Sequence, residues 1–556
     1  MNDFTLSVHE QVIDGGLRTL TREMGHRLKR SAHSSLIRES DDYGAAYVSP
    51  NFELVAETET TPLQMGPLAG YCKGLIDVLK ERNEEVDPGA VYLHNDPYRG
   101  ASHSPDVGAI LPLEANNRRV GFVCTAAHHL DLGAAVPGTC IIRAHDDYSE
   151  GLRIRAIKVE RADETQIETA WNLIKDNVRI PELVTGDLRA QVKACRWGQS
   201  QFHELLDRFG LEEMESTRTK LLSNGEQRMK KVIRGLPDKR LEATGYLDGY
   251  VDNPDAPVDI PIHLQMDING SEINVNFDGT ASQLDHRPIN MPFRGTTDMA
   301  VSLTLRTILL PETEYPKLPH NSGLFRPVSI SAPEGSLVHP TFPAPTIGRF
   351  CGGQMVSNLV VKCLSEILPE RVCAGCATTK AVTFSGQSNS EDAWVYMDVT
   401  EGAYGGSQDK DGMDAVDVLY ANTKNNPIED IENQYPLRVE RYELREGTAG
   451  DGQFRGGFGP VRETRFLTDG NLSVEGDGFR HPPWGLKGGE DGATGGVEIK
   501  YPEEETPELL PSKIDNLQVP KGTIIRDLCP SGGGFGNPDK RSEKLRQLDL
   551  KNDLTN

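Results

Sequence analysis

Apolar residues at Val12, Ile13, Leu17, Leu20, Met24 and Leu28 recur at three- and four-residue steps, which predicts a helix over about 8–30 despite Gly15 and Gly16. A stripe of the same period predicts a second helix over 67–83. Between them, YGAAYVSPNFELVAE predicts a hairpin turning at Ser49, Pro50 and Asn51. From 90 to 130 the pattern changes to the short runs AVYL, VGAILPL and VGFVCTAA, read as strands separated by polar loops. The helical period resumes over 160–235, most clearly in LLDRFG and LEEMESTRTKLLSNGEQRMKKVIRGL. Short alternating strands follow in YLDGYV, IPIHLQMDI and INVNFDG, then one more helix near 294–309.

Beyond about 380, glycine dominates segments such as EGAYGGSQD, GDGQFRGGFGP, GLKGGEDGATGG and PSGGGFGNP. No fixed period joins them, which excludes collagen, propeller and solenoid repeats and leaves tight turns in a β-rich unit. A chain of 556 residues exceeds what one core supports. The reading is a multi-domain α+β protein of mixed helices and antiparallel sheets: a unit over 1–235, a central α+β unit over 236–380, a Gly-rich β unit over 381–540 and a polar, frayed tail over 541–556.

The net charge of −24 argues against nucleic acid or an anionic membrane as partner, since phosphate-binding surfaces concentrate Lys and Arg. The apolar stretch from Met299 to Leu310 is interrupted by Ser, Thr and Arg and falls short of the roughly 20 residues that span a bilayer. MNDFTLSVHE lacks the basic and apolar segments of a signal peptide, so a cytoplasmic protein is expected. Nine scattered cysteines point to reduced thiols. The CxxC of Cys373 and Cys376 has no second pair at zinc-site spacing and reads as two small buried side chains. GxxxxGK[ST], HExxH and GxSxG are all absent, so nucleotide-driven chemistry would need a partner chain.

One segment is dense in chemistry. LHNDPYRGASHSPD, residues 93–106, directly precedes the run VGAILPL, and the turn 114–119 makes 107–113 and 120–127 an antiparallel hairpin. With that turn centred between Ala115 and Arg118, paired numbers sum to about 233, within two, so Asp106 faces Ala127 and His103 faces Leu130. His103 and Asp106 then meet His128, His129 and Asp131 at the open end of the hairpin, with opposed Cβ atoms about 5 Å apart. Because strand neighbours point to opposite faces, one of the two adjacent histidines joins the cluster. Two imidazoles and a carboxylate suit Zn, Mn or Fe better than Ca, and would polarise a carbonyl or activate water. Such loops also serve simply to cap backbone amides.

These stretches together resemble the B (β) subunit of the hydantoinase B/oxoprolinase family. The resemblance runs through ESDDYGAA at 39, LHNDPYRGASHSPD at 93, AAHHLDLG at 126, EGLRI at 150, NVRIPELVTGDLRAQ at 177 and NFDGTASQ at 276. It continues through NSGLFRPV at 321, YANTKNNPIE at 420, GDGQFRGGFG at 450, HPPWGLKGG at 481 and PSGGGFGNP at 530. It implies metal positions at His103, Asp106 and His128, with Asp42 as a fourth and Asp41 as its competitor. It also implies a partner of the hydantoinase A type that binds ATP and Mg in an α2β2 assembly, and a divalent metal, Zn or Mn, on this chain. The chain departs from the family pattern at Gly100-Ala101-Ser102 and Gly133-Ala134-Ala135, where Gly-Gly-Thr and Gly-Gly are usual.

The implied activity is ATP-dependent opening of a lactam, hydantoin or oxoproline ring. Asp96, His129 or Asp131 is the expected proton acceptor and Asn95 the expected hydrogen-bonding residue for substrate. A ketone carboxylase subunit and a non-catalytic scaffold are the two rival expectations. Arg326 and Arg455, set among turn residues, are read as structural ion-pair partners rather than substrate contacts.

Overall fold

The computed structural model describes residues 6–250, 259–316, 318–387 and 392–554. The first helix spans Val8–Ser31, opened by a reciprocal capping box between Ser7 and Glu10. It lies against a six-stranded antiparallel sheet of order β2-β1-β5-β4-β3-β6, built from β1 (Tyr43–Val48), β2 (Leu54–Glu57), β3 (Val91–His94), β4 (Asp106–Ala115), β5 (Arg118–His128) and β6 (Ile157–Glu160). Val107, Ala109 and Leu111 pack toward the helices Val8–Ser31 and Pro181–Phe209, while Ile110, Phe122 and Cys124 pack toward the helix Leu68–Glu81. Helices on both faces explain why these antiparallel strands read as continuous apolar runs rather than as alternating ones. Residues 157–160 form the edge strand β6 on the free ladder of Val91 and Leu93, so the helical run read from 160 starts only at Glu168.

A second sheet, β10-β9-β8-β7, comprises β7 (Lys239–Asp248), β8 (Asp259–Asn269), β9 (Glu272–Asn276) and β10 (Val328–Ser331). Alternate β8 residues are buried, matching the period-two pattern, under the helix Phe350–Leu364, against which the helix Asp298–Leu309 packs. Val251, which ends the strand read in YLDGYV, lies outside the described residues.

The C-terminal part holds two sheets that share one core. The sheet β12-β11-β15-β18 contains β11 (Lys380–Gln387), β12 (Ala393–Thr400), β15 (Gly470–Glu475) and β18 (Lys513–Val519). The other, β13-β14-β19-β16-β17, contains β13 (Leu437–Leu444), β14 (Pro460–Phe466), β16 (Gly496–Lys500), β17 (Glu508–Leu510) and β19 (Ile524–Leu528). Phe384, Tyr396, Phe466, Leu472, Val497 and Ile525 fill the space between them.

The glycines of this part mostly serve close approach of backbones rather than turns. A methyl on Gly456 would fall 1.8 Å from the Gly532 carbonyl oxygen, and one on Gly534 2.0 Å from that of Asp451. The tail is not frayed over its described length: residues Glu543–Lys551 form a helix whose Asp549 is held by Arg541 and by Arg455. Arg455 also pairs with Asp414, and Arg326 with Glu53 and Glu226, as expected of structural arginines. Cys376 is buried and Cys373 half-buried, their Sγ atoms 3.5 Å apart. Among the described residues, no helix is long and apolar enough to cross a membrane.

Candidate metal centre

The hairpin of β4 and β5 turns at Asn116 and Asn117, both with positive φ, as a two-residue turn of primed type requires. Ala115 pairs with Arg118 and Glu114 with Arg119, numbers summing to 233. A bulge between Leu113 and Glu114 then shifts the ladder by one, so Asp106 stands opposite His128 rather than Ala127. The shift puts both side chains on one face of the pair.

His103 reaches the same point from the preceding loop. Asp96 caps the short turn Pro97–Arg99 by accepting the Tyr98 N–H at 2.9 Å, and Gly100 follows at φ +97°. The loop presses onto Gly70 and Gly74 of the helix Leu68–Glu81, where added methyls would fall 2.6 Å from the Gly100 carbonyl oxygen and 1.7 Å from that of Arg99. Asn95 accepts the Ile154 N–H at 2.6 Å and donates to the Ser104 and Leu152 carbonyls. Ser104 donates to Glu150, which accepts the Ile347 N–H at 2.7 Å. These bonds tie the loop to residues 346–349.

His103 Nε2, His128 Nδ1 and Asp106 Oδ1 form a triangle with sides of 3.0 and 3.2 Å. It is the one cluster of three His, Cys, Asp or Glu side chains with metal-ligand spacing among the described residues. His103 Nδ1 lies 2.7 Å from the Ile347 carbonyl oxygen, to which it donates, leaving the Nε2 lone pair facing the triangle. Asp106 Oδ2 accepts from Ser102 Oγ and, at 3.1 Å, from Arg349 Nη2, which leaves Oδ1 for the cluster. Burial, helped by the Arg349 charge, pushes the His103 ring down to about 4, keeping it neutral and able to ligate. Burial works against ionisation of Asp106, but the neighbouring His103 and His128 override it and hold the carboxyl well below its ordinary value.

The donor set fits a divalent cation. Ligand atoms about 2.0–2.1 Å from a tetrahedral zinc stand roughly 3.3 Å apart, close to the triangle's sides. Within the cluster alone, a single imidazole proton would have to serve facing acceptors, whereas a cation would satisfy all three groups together.

Asp42 borders the same cavity as His103 and His128. Its backbone oxygen accepts the His128 N–H, its carboxylate accepts from Gln64 at 3.1 Å, and burial pushes its pKa up to about 6. Its carboxylate is nevertheless outside the three-membered cluster. Asp41 is taken up by Lys29 and Lys424 and borders a different cavity.

The structure does not bring the expected proton acceptors or Asn95 into the cluster. Asp131 accepts from the backbone of Gly133, Gly138 and Arg179 and pairs with the Arg179 guanidinium at 2.9 Å. Asp96 pairs with Arg155 besides capping its turn. His129 points to the opposite sheet face, where Nε2 meets Gln191 at 3.0 Å. All four are buried, and buried loop backbone recruits nearby polar side chains. Sequence reasoning missed Ser102, Arg349, Ile347, Glu150 and Gln64. Ser102 sits one residue before His103 as a local donor; the others carry no periodic or spacing signal.

The profile of the hydantoinase B/oxoprolinase family matches residues 7–538, and the chain belongs to that family. It is 47% identical over 541 residues to a protein of Pseudomonas sp. (strain NS671) provisionally named as the B-type subunit of a D-/L-hydantoinase, covering 96% of this chain and 91% of that relative. It is 28% identical to the β subunit of the caprolactamase of Pseudomonas jessenii, over 98% and 93% of the two chains. The crystal structure of the ATP-dependent caprolactamase from that organism superposes with a TM-score of 0.90 at 26% identity, covering 99% of this chain and 95% of that one. A match to 5-oxoprolinase 1 of Arabidopsis thaliana, 27% identical, spans 93% of this chain but 41% of that protein.

Proposed function

We propose that this chain is the metal-carrying β subunit of an ATP-dependent cyclic amide hydrolase. The observation that carries the reading is the buried triangle of His103, Asp106 and His128, with the His103 lone pair turned inward by Ile347 and Asp106 Oδ1 by Ser102 and Arg349. The names of the curated relatives supply the reaction: the hydantoinase, the caprolactamase and the 5-oxoprolinase are each named for a cyclic amide. Bound Zn or Mn would supply a Lewis acid that polarises a carbonyl or makes water more acidic.

The residues of this chain hold and orient. His103 and His128 offer ring nitrogens as ligands, Asp106 contributes the anionic oxygen, and Arg349 balances its charge. Leu63, Phe350, Met397 and Val399 wall the cavity and exclude bulk water, which strengthens every polar contact inside. An unactivated amide hydrolyses slowly because resonance stabilises its carbonyl. The energy of ATP, with its Mg, enters through a separate hydantoinase A-type subunit in a cytoplasmic α2β2 assembly. The 5-oxoprolinase match supports a separate partner, since this chain corresponds to less than half of that longer protein.

The test is to purify the chain with the product of its neighbouring reading frame and follow ATP consumption and ring opening across hydantoins, oxoproline, lactams and ketones. Metal-dependent turnover of a cyclic amide supports the reading. ATP use that responds to a ketone and bicarbonate alone overturns it.

A further inference from the structure

Glu475 ends β15, flanked across the sheet by Ala381 of β11 and Lys513 of β18. It lines the cavity that also holds Asp42, His103 and His128, yet belongs to a distant part of the chain. Its side chain is 2% exposed and its Oε1 has no hydrogen-bond partner. The carboxyl abuts Gly348, where an added methyl would fall 1.7 Å from Oε1. Gly348 sits between Ile347, which orients His103, and Arg349, which holds Asp106, so the carboxyl rests on the strand of chain that braces the metal ligands.

The cross-strand Lys513 does not answer this carboxyl: its ammonium donates to the carbonyls of Asp248 and Gly476 and faces Asp477 at 3.5 Å. Several other polar groups of the cavity wall are committed, whereas His128 Nε2 and Arg349 Nε also lack partners there. Thr139 donates to Met397 Sδ, Thr379 and Thr423 donate to Asp417, and Lys380 pairs with Asp527. A buried polar atom left without a partner is expensive and calls for an occupant. Burial also pushes the Glu475 carboxyl up to about 8, so at neutral pH it offers one O–H donor beside one carbonyl acceptor.

That donor–acceptor pair matches the cis edge of a ring amide, which shows an N–H beside a carbonyl. We propose that Glu475 is a substrate-binding residue that selects cyclic ureides of the hydantoin type, donating to one ring carbonyl and accepting the adjacent ring N–H. This rests on the hydrolase reading above. A simple lactam has a single amide edge, which is used when its carbonyl faces the His/Asp cluster. A hydantoin keeps a second edge, the ureide N–H and carbonyl, for Glu475.

The experiment uses the complete complex with its ATPase partner, and measures KM and kcat for a hydantoin, for the same ring methylated at the ureide nitrogen, and for a simple lactam. In the unaltered complex, methylation should raise KM on the order of tenfold to a hundredfold, because it leaves a buried acceptor unpaired. Glu475→Leu should raise KM for the plain hydantoin by a similar factor, with a smaller change in kcat, and erase the difference between the two rings. Glu475→Gln, which keeps one donor and one acceptor, should hold KM within about threefold. If Glu475→Leu fails to fold, judged by melting and metal content, the methylated-ring comparison on the unaltered complex still decides. The assignment falls if methylation leaves KM unchanged, if Glu475→Leu binds the hydantoin normally, or if Glu475→Gln is as impaired as Glu475→Leu. Turnover of lactams with none of ureides sinks this assignment alone; a complex that opens no ring sinks the hydrolase reading beneath it.

Discussion

Arg349 Nη2 stands 3.1 Å from Asp106 Oδ2, and both side chains are buried almost completely, at 2% and 0% exposure. The guanidinium therefore aims the carboxylate: with Oδ2 committed, Oδ1 is the oxygen turned toward the two imidazoles. Loss of one partner from a buried pair leaves an uncompensated charge, so Arg349→Met should cost about 3–5 kcal/mol of stability. It should also weaken metal binding about 10–100-fold, as loss of an orienting partner does. Metal titration and thermal melting check both parts, and wild-type metal affinity in Arg349→Met would show that Asp106 needs no such aiming.

His103→Ala and His128→Ala should each abolish stoichiometric metal and ring opening. Elemental analysis of the purified complex is the direct measurement. A chelator should lower the melting temperature of the wild type and leave that of His103→Ala unchanged, since only a bound ion stabilises by mass action. A His103→Ala enzyme that stays metal-loaded and active would remove the basis of the proposed function.

Asp131→Asn should separate structure from chemistry. Asp131 holds three backbone N–H groups and Arg179, so the substitution should cost on the order of 2 kcal/mol, read as a lower melting temperature. Metal content should be unchanged, which atomic absorption on the folded variant checks. Loss of metal without loss of stability would instead return Asp131 to the reacting groups.

These contrasts mark how far the sequence was legible. The hairpin of β4 and β5 was, because apolar runs and a polar turn are local signals, and its register was right to one residue. That His103 and Asp106 meet the His128-His129 pair followed from the hairpin, but which histidine joins did not, because the bulge sets it. Arg349, Ile347 and Glu475 come from segments more than 200 positions away, and a single chain carries no periodicity that links them to His103. Asn95, Asp96, His129 and Asp131 were visible as polar residues, but whether such a group faces a cavity or clasps backbone depends on burial that only packing decides. Glycine was read through its torsional freedom, whereas Gly456 and Gly534 are small because another backbone lies against them.

Stability should carry a pH signature of Glu475. Burial raises its folded pKa to about 8, well above that of an unfolded glutamate, so the folded state prefers the protonated form. Its contribution is full below the unfolded value, near 4.5, and is lost as pH rises toward 8. Glu475→Gln keeps the neutral shape at every pH, so its stability relative to wild type should grow by on the order of 3 kcal/mol between pH 5 and pH 8. Denaturant melts across that range check it; a constant difference would place the titration elsewhere.

The bulge between Leu113 and Glu114 makes the His/Asp cluster a matter of parity. Strand side chains alternate, so deleting one residue from the hairpin tip would swing His128 to the far side of the sheet and present His129 in its place. Nothing at the tip touches a ligand, yet an odd change in its length should disarm the site, while a two-residue change preserves which face His128 occupies.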